Sequence, residues 1–394
     1  MILIPMSLAL LLILGWWERW HHQRNIDSIP VRVNINGIRG KSTVTRLITG
    51  VLFEAGYHTL GKTTGTSARL IYEDREDPIV RDPEGPNIRE QIKVLNHASK
   101  EGVDALVSEC MAVNPDYQET FQDIMLQANI AVIVNVLEDH MDVLGPTLDD
   151  VAASFAVTIP YNGHLIIDDG PYVDYFTRIA HKRNTEVIVA EPNQISEGFL
   201  QKFDYMVFPD NAALALGVAK ALNIDEEIAK HGMLHAPVDP GAMRIMKLGE
   251  ERAPSFFFNG FAANDASSTL AIWERIKALG YPSEEPIVIM NCRRDRVDRT
   301  EQFARDVLPE MEIATLIVIG ELTDPIEEAY QFGIIRANRY LNMEGKSTQQ
   351  IYETLEKYID RSTIYGVGNI HGAAEPLLEK IEEKQNRAAV LIGG

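Results

Sequence analysis

"VNINGIRGKSTVTR", Val33 to Arg46, is the stretch whose reading decides the fold. It runs from an apolar–polar alternation through two glycines into Gly40-Lys41-Ser42, and from there into a helical pattern. A Walker-type loop, G-x-x-x-x-G-K-[ST], would need glycine at position 35, where Ile35 stands. The spacing is instead G-x-x-G-K-[ST]-[ST], from Gly37 to Thr43. The context is still that of a phosphate cradle. VRVNIN (31–36) reads as a strand. Thr43 to Gly56 reads as a helix, with Val44, Leu47, Ile48, Val51 and Leu52 on one face and Gly56 as the stop. A helix start presents unpaired N–H groups and a partial positive charge to an anion. Gly37 and Gly40 let backbone approach phosphate oxygens, Lys41 can reach the terminal phosphates, and the Ser42 hydroxyl can ligate Mg²⁺. Gly37, Ile38, Arg39, Gly40, Lys41, Ser42 and Thr43 are therefore the expected nucleotide-binding residues.

Outward from the loop, strands alternate with helices, the signature of a parallel α/β sheet. The apolar runs are ALVSEC (105–110), IAVIVNV (130–136), HLIID (164–168), EVIVA (186–190) and YMVF (205–208), and an Ala-rich helix covers Asn211 to Leu222. The chain breaks at Ala236-Pro237-Val238-Asp239-Pro240-Gly241. A second set follows: SFFFNGF (255–261), PIVIMNC (286–292), TLIVIG (315–320) and STIYGVG (362–368). This places a domain boundary near 240–250. The acidic, proline-rich loop from Tyr72 to Pro86 reads as a surface excursion rather than a lid.

The 394 residues allow two or three domains, and two cysteines exclude a disulfide scaffold and point to a reducing compartment. A net charge of −20 argues against a nucleic-acid partner, and any groove for an anionic substrate must be locally basic. The N-terminus differs from the rest. ILIPMSLALLLILGWW (2–17) carries no charge, and Glu18-Arg19-Trp20-His21-His22-Gln23-Arg24 follows. The arginines lie after the apolar run, unlike a secretory signal, and Trp16, Trp17 and Trp20 suit an interfacial belt. The expectation is a single N-terminal membrane anchor over residues 1–24, with the catalytic domains in the cytoplasm at the cell membrane.

Chemistry on a γ-phosphate needs oxygen ligands beyond the loop. A carboxylate at the C-terminal end of a neighbouring parallel strand is well placed, and Glu109 closes ALVSEC. The next strand runs into Asn135-Val136-Leu137-Glu138-Asp139-His140-Met141-Asp142. In the C-terminal half, Asn291-Cys292-Arg293-Arg294-Asp295-Arg296 makes a basic cluster in an acidic protein, and arginine forks suit carboxylates.

Together these stretches resemble the Mur ligases and folylpolyglutamate synthases, which use ATP to join an amino acid to a carboxylate. The loop Gly37–Thr43 is similar to theirs, Ser108-Glu109-Cys110 resembles their strand-closing Glu, and residues 135–142 resemble the motif T-N-x-x-x-D-H-x-D, whose His ligates a second metal. Asn211 resembles their nucleotide-contacting Asn, Asn291–Arg296 their G-C-G-G-D-R-D stretch, Phe261-Ala262-Ala263-Asn264 their Tyr-Ala-His-Asn, and Gly366–Gly372 their last glycine loop. The resemblance implies a Mur-ligase-like P-loop ATPase domain with a mostly parallel sheet over 25–245 and a smaller Rossmann-like α/β domain over 246–394. It implies catalytic Lys41, Glu109 and His140, and a metal on Ser42, Glu109 and His140. That metal is Mg²⁺, or Mn²⁺ as the better partner for an imidazole. Arg293, Arg294 and Arg296 become the candidates for holding a substrate carboxylate.

The departures narrow the branch. A domain for a UDP-linked precursor is not expected ahead of the loop, P-G-R-x-E reads Pro240-Gly241-Ala242-Met243-Arg244, and Ser154 and Phe155 stand near the place of the family's carbamylated lysine. Nearly the whole chain resembles the ligase subunits of poly-γ-glutamate synthases. The most specific stretches are RVNINGIRGKSTVTR, GKTTGTSAR, SECMAVNPDYQ, NVLEDHMDV, FPDNAALALGVA, NGFAANDASSTL, NCRRDRVDRT and YGVGNIHGAAEPL. That branch implies ATP-driven γ-amide bonds between glutamates through an acyl phosphate, releasing ADP and phosphate. It implies glutamate and growing poly-γ-glutamate as substrates and integral membrane subunits of the same synthase and export complex as partners, and it is compatible with a homo-oligomer. The alternatives are a Mur-like ligase on another acid and amine, a non-catalytic nucleotide-binding scaffold, and a membrane-anchored P-loop kinase. The last predicts a tyrosine-rich tail, which EEKQNRAAVLIGG at the C-terminus lacks.

Overall fold

The computed structural model of the chain describes residues 3–65, 68–81, 87–239, 242–249, 254–263, 265–282 and 284–392. Thr66 and Ser67 of GKTTGTSAR, residues 82–86 of the acidic loop, Pro240, Gly241 and Asn264 lie outside the described residues. The chain divides into two compact units, Met1–Ser196 with Val207–Pro240, and Glu197–Met206 with Gly241–Gly394.

The first unit is built on an eight-stranded sheet. Its strands are β1 (Val31–Asn36), β2 (Thr59–Lys62), β3 (Arg69–Ile71), β4 (Glu76–Pro78), β5 (Ala105–Glu109), β6 (Ile130–Ile133), β7 (His164–Ile167) and β8 (Glu186–Val189). The order is β4-β3-β2-β5-β1-β6-β7-β8, antiparallel only at the β2–β3 and β3–β4 edge. β1 lies between β5 and β6, parallel to both, with Ile35 level with Glu109 on one side and Val132 on the other. The chain passes from one flank of β1 to the other here, and in open α/β sheets such a switch point opens a ligand crevice at the strands' C-terminal ends.

β1 is buried on both faces, although its sequence alternates. Val33 and Ile35 enter the core. The polar face is covered too: Asn34 Nδ2 donates to Gln122 Oε1 at 3.0 Å and Asn36 Nδ2 to Gln118 Oε1 at 2.7 Å. Both glutamines are buried, and their own amides donate to Ala128 O and Val113 O. Buried amides need partners, and these four are joined across the interior through their N–H groups, although Asn34 Oδ1 has none among the described residues. The last buried residue of the strand is thus Asn36.

The N-terminal expectation is overturned. Residues 3–27 form one helix, yet among the described residues no helix is long and apolar enough to cross a membrane. The uncharged run ends at Trp17, and Glu18, Arg19, Arg24 and Asp27 share the same helix. Its final turns dock on the first unit: His22 Nε2 lies 3.0 Å from Met125 O, Gln23 pairs with Gln127 at 3.0 Å, and Asn25 and Ile26 are buried. A membrane anchor is therefore not what this segment forms in the structure.

The second unit carries a six-stranded sheet of β9 (Ile245–Leu248), β10 (Ser255–Asn259), β11 (Ile287–Cys292), β12 (Ile313–Gly320), β13 (Ala337–Asn342) and β14 (Thr363–Gly368). The order is β13-β12-β11-β14-β10-β9, parallel except for β9. Its core packs Phe257, Phe261, Ile289, Ile317 and Leu355. YMVF (205–208) forms no strand; Tyr205 makes a single bridge to Arg244.

Candidate active site

Gly37 and Gly40 both have positive φ, 132° and 86°, so the chain leaves β1 through a turn that side chains resist. A Cβ on Gly37 would stand 3.1 Å from Asn135 N. The helix Lys41–Glu54 then begins with Gly40 as its N-cap and no capping side chain. Its first N–H groups have no partner within the helix. The amides of residues 37–39 are already engaged: Gly37 N donates to Asn36 Oδ1, and Ile38 N and Arg39 N both donate to Asn135 Oδ1 at 3.1 Å. Of the loop expected from the sequence, residues 40–43 are thus the part whose amides have no side-chain partner among the described residues. Residues 36–39 brace it.

Lys41 Nζ folds back over the loop, donating to Gly37 O at 2.8 Å and Ile38 O at 3.1 Å. Ser42 Oγ donates to Glu109 Oε2 at 2.9 Å. Thr64 closes the carboxylate from the other side, donating its N–H to Oε2 at 3.0 Å and its hydroxyl to Oε1. Glu109 is buried, so the position of its oxygens is fixed by three donors. A hydroxyl pair and one carboxylate make a hard-oxygen set, which suits Mg²⁺ completed by phosphate oxygens and water.

Lys41, Thr64 and Glu109 line a cavity of about 510 Å³ that also takes in Arg81, Gln118, His140 and Phe155. His140 sits in the left-handed region at φ 49° and its side chain is 57% exposed. It shares the cavity with Glu109 but does not join it in a three-ligand cluster among the described residues. Arg39 reaches Asp139 at 3.8 Å, next to His140. Asn211, from the helix Pro209–Ala221, lies against the loop: a Cβ on Gly40 would come within 3.0 Å of Asn211 Oδ1. Where the family's modified lysine would fall, Ser154 Oγ bonds Leu144 O and Phe155 supplies an apolar wall.

Thr64, Arg81 and Lys62 were not singled out by the sequence reading. Lys62 closes β2 beside Ser108 and is fully buried, with Nζ 3.2 Å from Glu90 Oε1. Burial pushes its pKa down, against the pull of Glu90. For Glu90, burial acts to raise the pKa, but the hydrogen bond from Arg81 and the charge of Lys62 outweigh it and the net shift is downward. Arg81 also donates to Gly65 O at 2.7 Å, so this buried ion cluster steadies the turn that carries Thr64. The sequence signal was the run GKTTGTSAR, whose Lys62 and Thr64 end a strand next to the one ending in Glu109. Cys110 is buried, and burial pushes its thiol up to about 11, so it stays a neutral thiol at neutral pH.

In the second unit, Arg293 and Arg294 line a separate cavity of about 770 Å³ with Glu321 and Lys346. Arg293 pairs with Asp295 at 2.7 Å, Arg294 stands 3.5 Å from Glu321, and Arg296 is exposed in the same turn. Asn291 stitches β11 to the end of β14 by donating to His371 O at 2.9 Å and to Asn369 O.

An uncapped phosphate turn on a switch-point strand, facing a hydroxyl-held carboxylate, defines a P-loop nucleotide-dependent enzyme. The family model for the Mur ligase middle domain matches residues 35–224, and that for the poly-gamma-glutamate synthase CapB C-terminal domain matches 245–384. The chain is 62% identical over 383 residues to the PGA synthase CapB of Bacillus subtilis (strain 168), covering 97% of this chain and 98% of the relative. It is 60% identical over 385 residues to the capsule biosynthesis protein CapB of Bacillus anthracis, covering 97% and 83%. Among solved structures, a UDP-N-acetylmuramoyl-L-alanyl-D-glutamate–2,6-diaminopimelate ligase matches with TM-score 0.66 at 14% identity, over 93% of this chain and 82% of that one. The chain belongs to the CapB family of poly-γ-glutamate synthases, on the Mur ligase fold.

Proposed function

We propose that the chain is the ATP-dependent ligase that polymerises glutamate through its γ-carboxyl group, releasing ADP and phosphate. The observation that carries the reading is the Ser42–Glu109–Thr64 constellation at the mouth of the uncapped Lys41–Glu54 helix, in a chain 62% identical to a PGA synthase. The helix start and Lys41 hold the phosphates. Ser42, Thr64 and Glu109 hold Mg²⁺ or Mn²⁺, with His140 at the cavity wall. The cation's contribution is to neutralise charge on the phosphoryl group being transferred.

A γ-carboxylate oxygen attacks the γ-phosphorus, the bond to the β–γ bridging oxygen breaks, and ADP leaves. The amine of a second glutamate then attacks the acyl carbon. The C–O bond to phosphate breaks, and the amine nitrogen gives up a proton as the amide forms. The protein supplies positioning and preorganised charge rather than a covalent intermediate of its own. Arg293, Arg294 and Arg296 are the proposed carboxylate holders for glutamate. The chain works within a synthase complex, with integral membrane subunits as its partners.

The test is glutamate-dependent ADP release by the purified complex, with hydroxylamine present to trap the acyl phosphate. Hydroxamate and ADP that both need glutamate, and both vanish in Lys41→Ala, are expected. ADP release indifferent to glutamate would overturn the ligase reading.

A further inference from the structure

Away from the cavity, the helix that begins at the phosphate loop ends at Glu54, and the helix Glu226–Leu234 crosses it there. The crossing is made at two glycines. A Cβ on Gly50 would stand 2.4 Å from Gly232 O, and one on Gly232 would stand 2.5 Å from Gly50 O and 2.9 Å from the Glu54 Cβ. Backbone therefore meets backbone, and Glu54 is carried onto the face of His231 and His235.

Those two histidines are four residues apart, so they share one helical face. Their ring centroids are 4.2 Å apart. His231 Nδ1 lies 2.9 Å from Glu54 Oε1. His235 Nδ1 lies 2.9 Å from His231 O. An Nδ1–H given to a backbone carbonyl leaves Nε2 as a lone-pair donor, the arrangement by which metal-bound histidines are oriented. Glu54, His231 and His235 each offer a ligand atom within 4.8 Å of the other two, the one such group among the described residues. Ligands on a tetrahedral zinc stand about 3.4 Å apart at bond lengths near 2.1 Å. A small closure of exposed side chains completes the set.

We propose that Glu54, His231 and His235 form a zinc site, with water at the fourth position. It pins the far end of the phosphate-loop helix to the helix Glu226–Leu234. Two imidazoles and one carboxylate select Zn²⁺ over the Mg²⁺ suited to the all-oxygen cavity. The site lies at the far end of the 14-residue helix from Lys41, about 20 Å away, so its role is structural.

The test uses the purified full chain, stripped with a chelator and titrated with Zn²⁺ alone. Wild type is compared with His231→Gln and His235→Gln, by bound zinc per chain and by Tm. Zinc held at Glu109 would be kept by all three proteins, so the difference between them counts this site alone. The expectation is one more zinc in wild type than in either variant, an affinity loss above about 100-fold in each, and a zinc-dependent rise in Tm that only wild type shows. Should a variant fold poorly, visible d–d absorption of four-coordinate Co²⁺ in wild type, competed away by Zn²⁺, reads the same site. Equal zinc in all three proteins, or a wild type without the Co²⁺ band, overturns the proposal.

Discussion

The two units present two different mouths at the C-terminal ends of parallel strands. In the first, Glu109 is buried and held by Ser42 and Thr64, and even the braces beneath the loop are bonded. In the second, Arg293 and Arg294 after β11 are half-exposed or exposed, Arg293 pairing with Asp295 and Arg294 with Glu321. The first opens from a turn with two glycines, Gly37 and Gly40, whereas the turn after β11 carries Arg293 and Arg294, so the contrast lies in the backbone as well as the side chains. A rigid mouth suits a ligand whose charge geometry never varies, such as a triphosphate. A loose cationic mouth suits a carboxylate on a chain whose length changes at each cycle.

The strongest way to break this contrast is at Glu109. Glu109→Gln keeps the shape and removes the charge, and it is expected to lower kcat for glutamate-dependent ADP release by about 10³-fold. Next is Gly320→Ala in the second mouth. Gly320 has φ 96° and its Cβ would fall within 2.0 Å of Cys292 O, so a loss of about 3 kcal/mol is expected in urea unfolding. Asn36→Ala tests the brace. It leaves Gln118 Oε1 and Gly37 N without their partner, for a loss of about 2 kcal/mol with a weaker nucleotide Kd by calorimetry. Smallest is Arg294→Ala: a side chain 75% exposed should raise KM for glutamate only about 3-fold and leave kcat alone. An Arg294 effect as large as that of Glu109 would erase the distinction between the mouths.

Much of the first mouth was legible because its residues sit at strand ends. Glu109 follows a clear apolar run, and the loop carries its own spacing. Thr64 and Arg81 were not, because β2, β3 and β4 are three or four residues long and contain a proline, too short for any periodicity. The burial of Asn34 and Asn36 was equally hidden: alternation reads as one wet face, while the partners, Gln118 and Gln122, lie more than eighty residues away. YMVF forms no strand because Pro209 begins a helix immediately after it and its pairing stops at one bridge, Tyr205 to Arg244, beside the bond from Met206 N to Met243 O. The N-terminal run misled for another reason. Counting apolar residues measures affinity for lipid, but the helix continues through charged residues into contacts with Met125 and Gln127.

The asparagine–glutamine seam has one more consequence. Shifting β1 by a single residue would turn Val33 and Ile35 toward Gln122 and Gln118 and drive both asparagines into the aliphatic core. Several amide groups would then be left without partners, at about 1–3 kcal/mol each. The same slip would carry the phosphate turn about 3.3 Å along the strand axis, off the level of Glu109. The seam thus makes a misaligned strand costly enough to reject, and the distance from loop to carboxylate is set before any nucleotide arrives.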